Sequence, residues 1–382
     1  METFEESGKI VNGVRFGTRR PIFDTPMEQD SHSSALEPLV VAFAADVGVR
    51  HGLVVAVSSL LRHHRHRPVV IHLIDGGLPL RSLRHLRRLL RRHGKANLRL
   101  HPFEPGRFAH CRPGPNGSMM SYARILLGSL LRDEKRVLYF DTDILIRGRI
   151  DSLWSKDFAD GSVIAGAIDP VVERLGRDSP IPLEEEDRDL PYINTGVLLL
   201  DLERWRAGGF EQACLELLNL HGGACTYWDQ TAINSVCGRA RAIVPLKGIW
   251  NHSPLVVAPP PPNEDVVVFH YFCFPICGER PDFGSSYKPW DWWSLRPEYC
   301  EWRGEARRAG VSPLLLLIRS PMRGQFLAGY LPRAAQRHRI FAILVRAALR
   351  FFVGITRDSP RQRTALRLVE QIEGARDSST KK

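Results

Sequence analysis

The chain has few cysteines, no long uncharged hydrophobic run and no apolar stretch at its start. Its 382 residues include seven cysteines, an odd number at irregular spacing, which argues against a disulfide framework and favours a reducing compartment. No segment reaches the roughly 18 uncharged apolar residues of a membrane-spanning helix. Because the first ten residues, METFEESGKI, are polar and acidic, no signal peptide is expected. We therefore predict a cytoplasmic protein that is soluble or peripheral to the inner face of the cell membrane.

Basic residues are in clear excess over acidic ones. The formal net charge is +11 in a chain that is 43% hydrophobic and 25% charged, a globular composition that excludes wholly disordered and collagen-like proteins. Residues 318–368 contain eleven arginines and one acid, Asp358, and so carry +10 of this charge. Such an excess indicates an anionic partner, which can be a membrane surface, a nucleic acid or a phosphorylated ligand.

The basic segment also contains a strongly apolar stretch, residues 340–353. Arg346 and Arg350 lie four residues apart and share one face of a helix, while aromatic and aliphatic residues cover the rest, which is typical of an interfacial membrane helix. We predict that 318–368 binds an anionic membrane surface; a helix docked on the globular core is the alternative. No nucleic acid is expected, because the tail has few polar residues to read bases and no known RNA- or DNA-binding motif.

Apolar runs alternate with helical patterns through the first half of the chain. The predicted strands are 39–45, 69–74, 97–103, 136–140, 162–168, 193–200 and 266–270. A first predicted helix follows Asp46 and continues to about Arg65, and the other predicted helices are 80–93, 119–132, 203–220 and 229–238. This alternation implies an α/β fold with a mostly parallel central sheet flanked by helices. We predict three parts: a flexible leader over 1–36, an α/β domain over 37–295 and a basic helical tail over 296–382.

Two carboxylates follow a predicted strand directly, at Asp141 and Asp143. Ligands of open α/β sheets bind beyond the carboxyl ends of the strands, and two carboxylates there can converge on one hard cation. Mn²⁺ and Mg²⁺ prefer oxygen ligands and are usually shared with substrate phosphates. The pattern indicates a metal site, with a turn of solvated aspartates as the alternative.

Two further candidates end predicted strands. Asp46 follows the first strand and can contact a base or ribose, or instead cap the next helix. His270 ends the strand 266–270 and can complete an Asp, Asp, His metal site. With Cys273 and Cys277 it can instead form a partial zinc site, for which no fourth ligand is evident.

Five motifs occur in order between about residues 38 and 293. They are SYARILLG from Ser121, RVLYFDTDILIRG from Arg136, YINTGVLLLDLERW from Tyr192, WDQTAIN from Trp228 and KPW from Lys288. Together they resemble the family 8 retaining glycosyltransferases, above all the bacterial lipopolysaccharide galactosyl- and glucosyltransferases, with glycogenin as a more distant relative. The resemblance implies a GT-A fold that binds a nucleotide sugar.

The resemblance implies roles for residues around the nucleotide. It assigns Asp46 and the backbone near Ala44 to the uridine, and Arg124 and Thr142 to the donor. It assigns Lys288 to a closing loop that touches the diphosphate. In one departure, Asp46-Val-Gly-Val stands where the family has Asp-x-Asn-Tyr, so an aromatic ring that can stack on the base is missing.

The resemblance also implies the metal ligands and the residues near the sugars. It assigns both aspartates of the Asp-Thr-Asp sequence and His270 to Mn²⁺ or Mg²⁺. It places Asn194, Asp229 and Gln230 at the donor sugar and Asp169 near donor and acceptor. Since glutamine is a poor nucleophile, we favour same-face attack by the acceptor, with the leaving phosphate as base.

These inferences combine into one functional hypothesis. We predict a metal-dependent retaining hexosyltransferase that moves galactose or glucose from UDP-galactose or UDP-glucose to a glycan acceptor, either lipid-linked or in the cell envelope, as in lipopolysaccharide. Two alternatives remain at this stage: a degenerate protein that binds UDP-sugar without turnover, and a basic adaptor that uses its tail to bind a membrane or nucleic acid.

Overall fold

The computed structural model describes residues 36–114, 117–159, 161–256, 265–272, 288–290, 296–312 and Leu316. Several predictions fall outside these residues: the leader up to residue 35, the Cys273 and Cys277 pair, and the basic segment 318–368.

A seven-stranded sheet forms the centre of the fold, in the order β3-β2-β1-β4-β7-β6-β8. Its strands are β1 (Leu39–Ala45), β2 (Val69–Asp75), β3 (Ala96–Pro102), β4 (Arg136–Phe140), β6 (Ile164–Ile168), β7 (Ile193–Asp201) and β8 (Ile243–Leu246). The pairs β1–β2, β2–β3, β1–β4 and β6–β8 are parallel, while β7 runs antiparallel to β4 and β6. The predicted α/β fold with a mostly parallel sheet is confirmed.

Helices pack around this sheet in two groups. They are α1 (Arg50–His63), α2 (Leu80–His93), α3 (Leu127–Leu130), α4 (Asp151–Trp154), α5 (Leu202–Ala207), α6 (Phe210–His221), α7 (Asp229–Arg239) and α8 (Pro297–Arg308). Helix α1 contacts α2 and α8, and α6 contacts α5 and α7. A second sheet of two short strands, β5 (Ile144–Ile146) and β9 (Val268–His270), lies next to α1.

The hydrophobic pattern explains the main elements. All seven residues of β1 are buried, as expected for a central strand whose two faces are both covered. Helix α2 buries the leucines of one face, which fits a helix that packs one apolar side against the sheet. It ends at Gly94, whose φ of 80° is in the left-handed region that glycine adopts without strain.

Two predicted helices differ from the structure for identifiable reasons. Residues 120–126 form a 3₁₀-helix followed by the short α3, and nearly all of them are buried, so no amphipathic face favours a regular α-helix. The predicted helix 203–220 is two helices, because the chain turns at Gly208 and Gly209, the latter with a φ of 66°. Strands β5 and β8 are too short to stand out in the sequence.

Helix α8 packs on the α/β domain, although it lies beyond the predicted boundary at residue 295. Tyr299 and Trp302 are fully buried, and the ring of Trp302 lies 6.2 Å from that of Trp290. The carboxylate of Glu305 is buried against Arg62 of α1, with 3.0 Å between Nε and Oε2. The start of the predicted tail therefore packs against the domain core, and the predicted boundary itself stays a prediction.

Candidate active site

The carboxyl edge of the sheet gathers most of the predicted site residues. Because β1 and β4 pair in parallel, Asp46 and Asp141, which follow them, lie at the same edge. Strand β7 runs the other way and brings its first residues, Asn194 and Thr195, to that edge. The backbone N–H of Asp141 donates to the carbonyl of Gly196, at 2.8 Å.

Asp141, Asp143 and His270 form a compact cluster. One ligand atom of each lies within 4.8 Å of the others. His270 Nε2 is 3.3 Å from Asp143 Oδ1 and 3.7 Å from Asp141 Oδ2. The antiparallel register of β5 and β9 sets Ile144 opposite His270, so the strand that follows Asp143 brings the histidine to the aspartates. Two carboxylates and one imidazole fit a divalent cation, and the excess of oxygen ligands favours Mn²⁺ or Mg²⁺.

A chain of side-chain amides fixes the imidazole of His270. Asn194 Oδ1 accepts from the backbone N–H of Gly196 and from Nδ2 of Asn251, at 3.0 and 2.9 Å. The amide oxygen of Asn251 therefore faces Nδ1 of His270, at 2.8 Å. Since this oxygen can only accept, Nδ1 carries a proton, and Nε2 is the ring nitrogen that faces the two aspartates.

Gly196 makes room for this imidazole. A Cβ atom at residue 196 would lie 2.0 Å from Cε1 and 2.6 Å from Nδ1 of His270. Both atoms belong to a buried ring that is hydrogen-bonded in place, so a larger residue would push the imidazole away from the aspartates.

Arg124 connects the aspartates of two different elements. Its Nη2 lies 2.9 Å from Asp141 Oδ1, and its Nε lies 3.0 Å from Asp229 Oδ2. It also donates to the hydroxyl of Thr195 at 3.0 Å, and its Cζ lies 4.8 Å from the centre of the Tyr139 ring. Burial would lower the pKa of Arg124, but Asp141 and then Asp229 outweigh it and raise the pKa above its ordinary value. This buried guanidinium is a fixed positive charge.

Asp229 opens helix α7 as a buried acid with a perturbed pKa. Burial raises its pKa to about 6, although Arg124 acts in the opposite direction. The preceding residue, Trp228, has a φ of 56°, which is strained for a bulky side chain. The indole N–H of Trp228 donates to the carbonyl of Pro113, at 2.8 Å, and holds this turn in place.

Asp169 and Gln230 form a second buried network. One carboxylate oxygen of Asp169 accepts from two backbone N–H groups of the following turn. The other accepts from Asn194 Nδ2 at 3.0 Å and from Gln230 Nε2 at 3.1 Å. The amide oxygen of Gln230 accepts from the backbone N–H of Thr195, at 3.0 Å. Both ends of the glutamine amide are thus oriented by the protein.

Lys288 reaches the metal-ligand candidates from a distant part of the chain. Its ammonium group contacts the carboxylate of Asp143 and donates to the carbonyl of Tyr271, the latter at 3.3 Å. Burial would raise the pKa of Asp143, but the ammonium of Lys288 and the imidazole of His270 hold it well below its usual range. Asp143 is therefore ionised at neutral pH.

Asp46 lies in a turn and not at a helix N-cap. Its Oδ1 accepts from the backbone N–H of Gly48 at 2.8 Å, and its Oδ2 accepts from the hydroxyl of Ser118 at 2.7 Å. The N-cap of α1 is Val49, which has no side-chain cap, so the capping alternative is wrong. Val47 is half exposed in the turn where an aromatic ring is missing. Ala44 and Thr142 are buried close to this edge.

Three residues of this site are absent from the sequence predictions. Asn251 orients His270, and Thr195 contacts both Gln230 and Arg124. The Tyr139 hydroxyl donates to Asp141 Oδ1 at 3.0 Å and orients that carboxylate. Thr195 and Tyr139 lie within motifs quoted above, but Asn251 follows a short 3₁₀-helix far from any motif. Its role depends on a tertiary contact that no sequence pattern marks.

Comparisons with known proteins show the family of this chain. The family model described as glycosyl transferase family 8 matches residues 40–294. General stress protein A of Bacillus subtilis is 26% identical over 201 residues, which cover 52% of this chain and 68% of that protein. The probable galacturonosyltransferase-like 9 of Arabidopsis thaliana is 29% identical over 222 residues, which cover 54% of this chain and 57% of that protein.

Solved structures show the same fold. The galactosyltransferase LgtC, in complex with donor and acceptor sugar analogues, superposes with a TM-score of 0.58 at 24% identity, covering 71% of this chain and 96% of LgtC. The bifunctional glycosyltransferase WbbM gives a TM-score of 0.56 at 16% identity, covering 75% of this chain and 53% of WbbM. Within the described residues, no helix has the length and apolar character needed to cross a membrane. With a family model matching two thirds of its length and a GT-A fold, the chain belongs to glycosyltransferase family 8.

Proposed function

We propose that this glycosyltransferase transfers a hexose, galactose or glucose, from a UDP-sugar to a sugar hydroxyl with retention of configuration. The observation that carries the proposal is the convergence of two aspartates and one histidine at the carboxyl edge of the sheet, beside a buried arginine. This is where a nucleotide diphosphate binds in open α/β sheets.

In this proposal Asp141, Asp143 and His270 hold Mn²⁺ or Mg²⁺. The ion supplies Lewis-acid stabilisation of the charge that develops on the leaving diphosphate. Lys288 already contacts Asp143, so its ammonium group is close enough to the proposed metal site to contact a bound diphosphate. The fixed charge of Arg124 holds Asp141 in place by an ion pair and adds positive potential to the donor site.

The residues proposed to surround the sugar are Asp169, Asn194, Asp229 and Gln230. The amide of Gln230 is held at both ends by Asp169 and Thr195, which suits a group that orients the donor and not a nucleophile. Asp229 is paired with Arg124 and is therefore not free to attack. These contacts support same-face attack by the acceptor, with the leaving phosphate taking its proton. Ala44, Asp46 and Thr142 are proposed to hold the nucleoside side of the donor.

The acceptor in this proposal is a lipid-linked or cell-envelope glycan, such as a lipopolysaccharide core. The support is the sequence of 318–368, whose arginine excess and apolar stretch favour an anionic membrane surface. Deletion of 318–382 is expected to release the protein from vesicles that contain phosphatidylglycerol; unchanged binding would contradict the assigned role of the tail.

The test of the donor site is release of UDP from UDP-galactose, UDP-glucose and UDP-galacturonate, the last because of the name of the plant relatives. We expect slow release with Mn²⁺, its loss with EDTA, and its loss in Asp143→Asn. The matched control Asp189→Asn removes an exposed carboxylate outside the site and should keep full activity. Release that survives both EDTA and Asp143→Asn would refute the metal role.

One observation favours a second candidate, a protein that binds UDP-sugar without turnover. The turn after β1 has Val47 half exposed and no aromatic residue to stack on the base, so the hold on uridine is weaker than in the family. UDP binding measured by calorimetry, together with no UDP release from any donor with or without a glycan acceptor, would favour this candidate.

A further inference from the structure

Helix α2 presents one face that carries only positive charge. The helix has no acidic residue, and its exposed arginines are Arg81, Arg84, Arg87, Arg88, Arg91 and Arg92. At 100° per residue these side chains fall within an arc of about 140°. The opposite side of the helix buries leucines in the core, so the helix cannot rotate to hide the charged face.

The six guanidinium groups have no anionic partner among the residues that the structure describes. Several are four residues apart, as Arg84 and Arg88 are, and like charges at this spacing destabilise a helix. Two arginines of and after α1 differ in this respect, since Arg62 pairs with Glu305 and Arg67 with Asp151. The face is complementary in charge to an anionic surface.

The face also has apolar character and a groove. Leu80, at the start of α2, is 67% exposed, and its position around the helix lies between Arg87 and Arg91. Between α2 and the edge strand β3, an open groove of about 470 Å³ is lined by Arg87, Arg91, Asn97 and other residues. Two guanidinium groups over an open groove suit the phosphate of a lipid headgroup.

The chain also leaves the described domain beside this helix. His85 of α2 contacts the carbonyl of Ala309 through Nε2, at 2.6 Å, and the described chain continues only to Ser312 and Leu316. The arginine-rich sequence 318–368 follows directly. The last part of the described chain before this basic sequence therefore lies next to α2.

We propose that the cationic face of α2 docks on the surface of an anionic phospholipid bilayer. An exposed leucine among the arginines and the absence of aromatic side chains from this face favour a bilayer over a nucleic acid, for which stacking side chains are the rule. The loop before α2 passes close to Asp46, since a Cβ at Gly76 would lie 3.3 Å from Asp46 Cβ. The docked face thus begins at the edge of the sheet that carries the candidate active site. The proposal does not depend on the donor or on turnover.

The test is cosedimentation of the full chain with vesicles of phosphatidylcholine, alone or mixed with phosphatidylglycerol. The variant replaces Arg84, Arg87, Arg88 and Arg91 by glutamine. Its matched control replaces four exposed basic residues of other surfaces by glutamine: Arg132, Lys135, Arg239 and Lys247. Each basic residue at an anionic surface is worth about a fivefold factor, so we expect the α2 variant, which lacks four, to bind mixed vesicles about 600-fold more weakly and the control to bind nearly as the parent does.

Two further measurements separate the effect of charge from that of misfolding. A variant with lysine at the same four α2 positions keeps the charge and should keep vesicle binding, and circular dichroism shows whether each variant is folded. Equal vesicle binding by the α2 variant and its control would overturn the proposal. So would tight binding of a single-stranded oligonucleotide that is lost in the α2 variant, combined with no preference for vesicles that contain phosphatidylglycerol.

Discussion

Replacing the buried acid Asp229 by asparagine is expected to stabilise the protein at neutral pH while abolishing sugar transfer. Asp229 is almost completely buried, and its Oδ2 lies 3.0 Å from Nε of Arg124. Burial raises its pKa to about 6, because desolvation outweighs the attraction of Arg124. The site therefore holds a carboxylate at neutral pH at a cost in folding free energy, as functional sites often do.

The size of the effect follows from the pKa. The ordinary pKa of 3.8 lies below the folded value of about 6, so between these values the folded chain keeps a proton that the unfolded chain has lost. The contribution of Asp229 to the free energy of unfolding is fully present below about pH 4 and is lost as the pH rises to 6. At 1.36 kcal/mol per unit, the loss is about 3 kcal/mol. Asparagine lacks this titration, so the variant gains about 3 kcal/mol relative to the parent between pH 4 and pH 7.

Urea unfolding followed by tryptophan fluorescence measures this difference at a series of pH values. Comparing Asp229→Asn with its parent cancels the other titrating groups, such as His63 and His72, which act in the opposite direction. As a second variant, Arg124→Met removes the compensating charge and should steepen the loss of stability above pH 6. A difference between Asp229→Asn and its parent that stays constant from pH 4 to pH 7 would refute this reasoning.

Three more predictions concern neighbouring groups. Gly196→Ala should displace His270, whose Cε1 would lie 2.0 Å from the new Cβ. Mn²⁺-dependent UDP release should therefore be lost even at temperatures where the variant remains folded. Unchanged UDP release would contradict the contact. Asn251→Ala frees Nδ1 of His270 and should weaken Mn²⁺ binding by about 10- to 100-fold in calorimetry, with normal affinity as the opposing result. His72 has its pKa lowered to about 4 by burial, then by His101 and Arg99. Its contribution to the free energy of unfolding is therefore fully present above pH 6.5 and is lost as the pH falls to about 4. Urea unfolding at a series of pH values should show a smaller loss of stability over this range for His72→Gln than for the parent.

The sequence was sufficient for the elements with a strong hydrophobic period. The buried runs of β1, β2 and β4 and the leucine face of α2 agree with the structure to within a residue or two. Their amphipathic or continuous apolar pattern reflects burial directly. The pattern failed for the 3₁₀-helix at 120–126, where burial on nearly all sides leaves no amphipathic face, and for β5, which has only three residues.

Parallel pairing of β1 and β4 placed Asp46 and Asp141 at one edge, and this was predictable because the carboxyl ends of parallel strands coincide. The contact between Asp143 and His270 was harder to predict from local sequence. It depends on the antiparallel pairing of two three-residue strands, β5 and β9, whose first residues, Ile144 and Val268, are 124 positions apart in the chain. The motif resemblance named this histidine, but no periodicity in the chain marks it.

The amino-acid sequence by itself determined the α/β fold, the family and the identity of the charged residues, since these depend on burial patterns and motifs within short segments. Only the tertiary structure decided how those charges are balanced. The orientation of His270 depends on Asn251 and Asn194, and the pKa of Asp229 depends on Arg124 and on the depth of its burial. Such quantities are set by distances of about 3 Å between groups far apart in the chain, because electrostatic and hydrogen-bond energies in a buried site change steeply with separation.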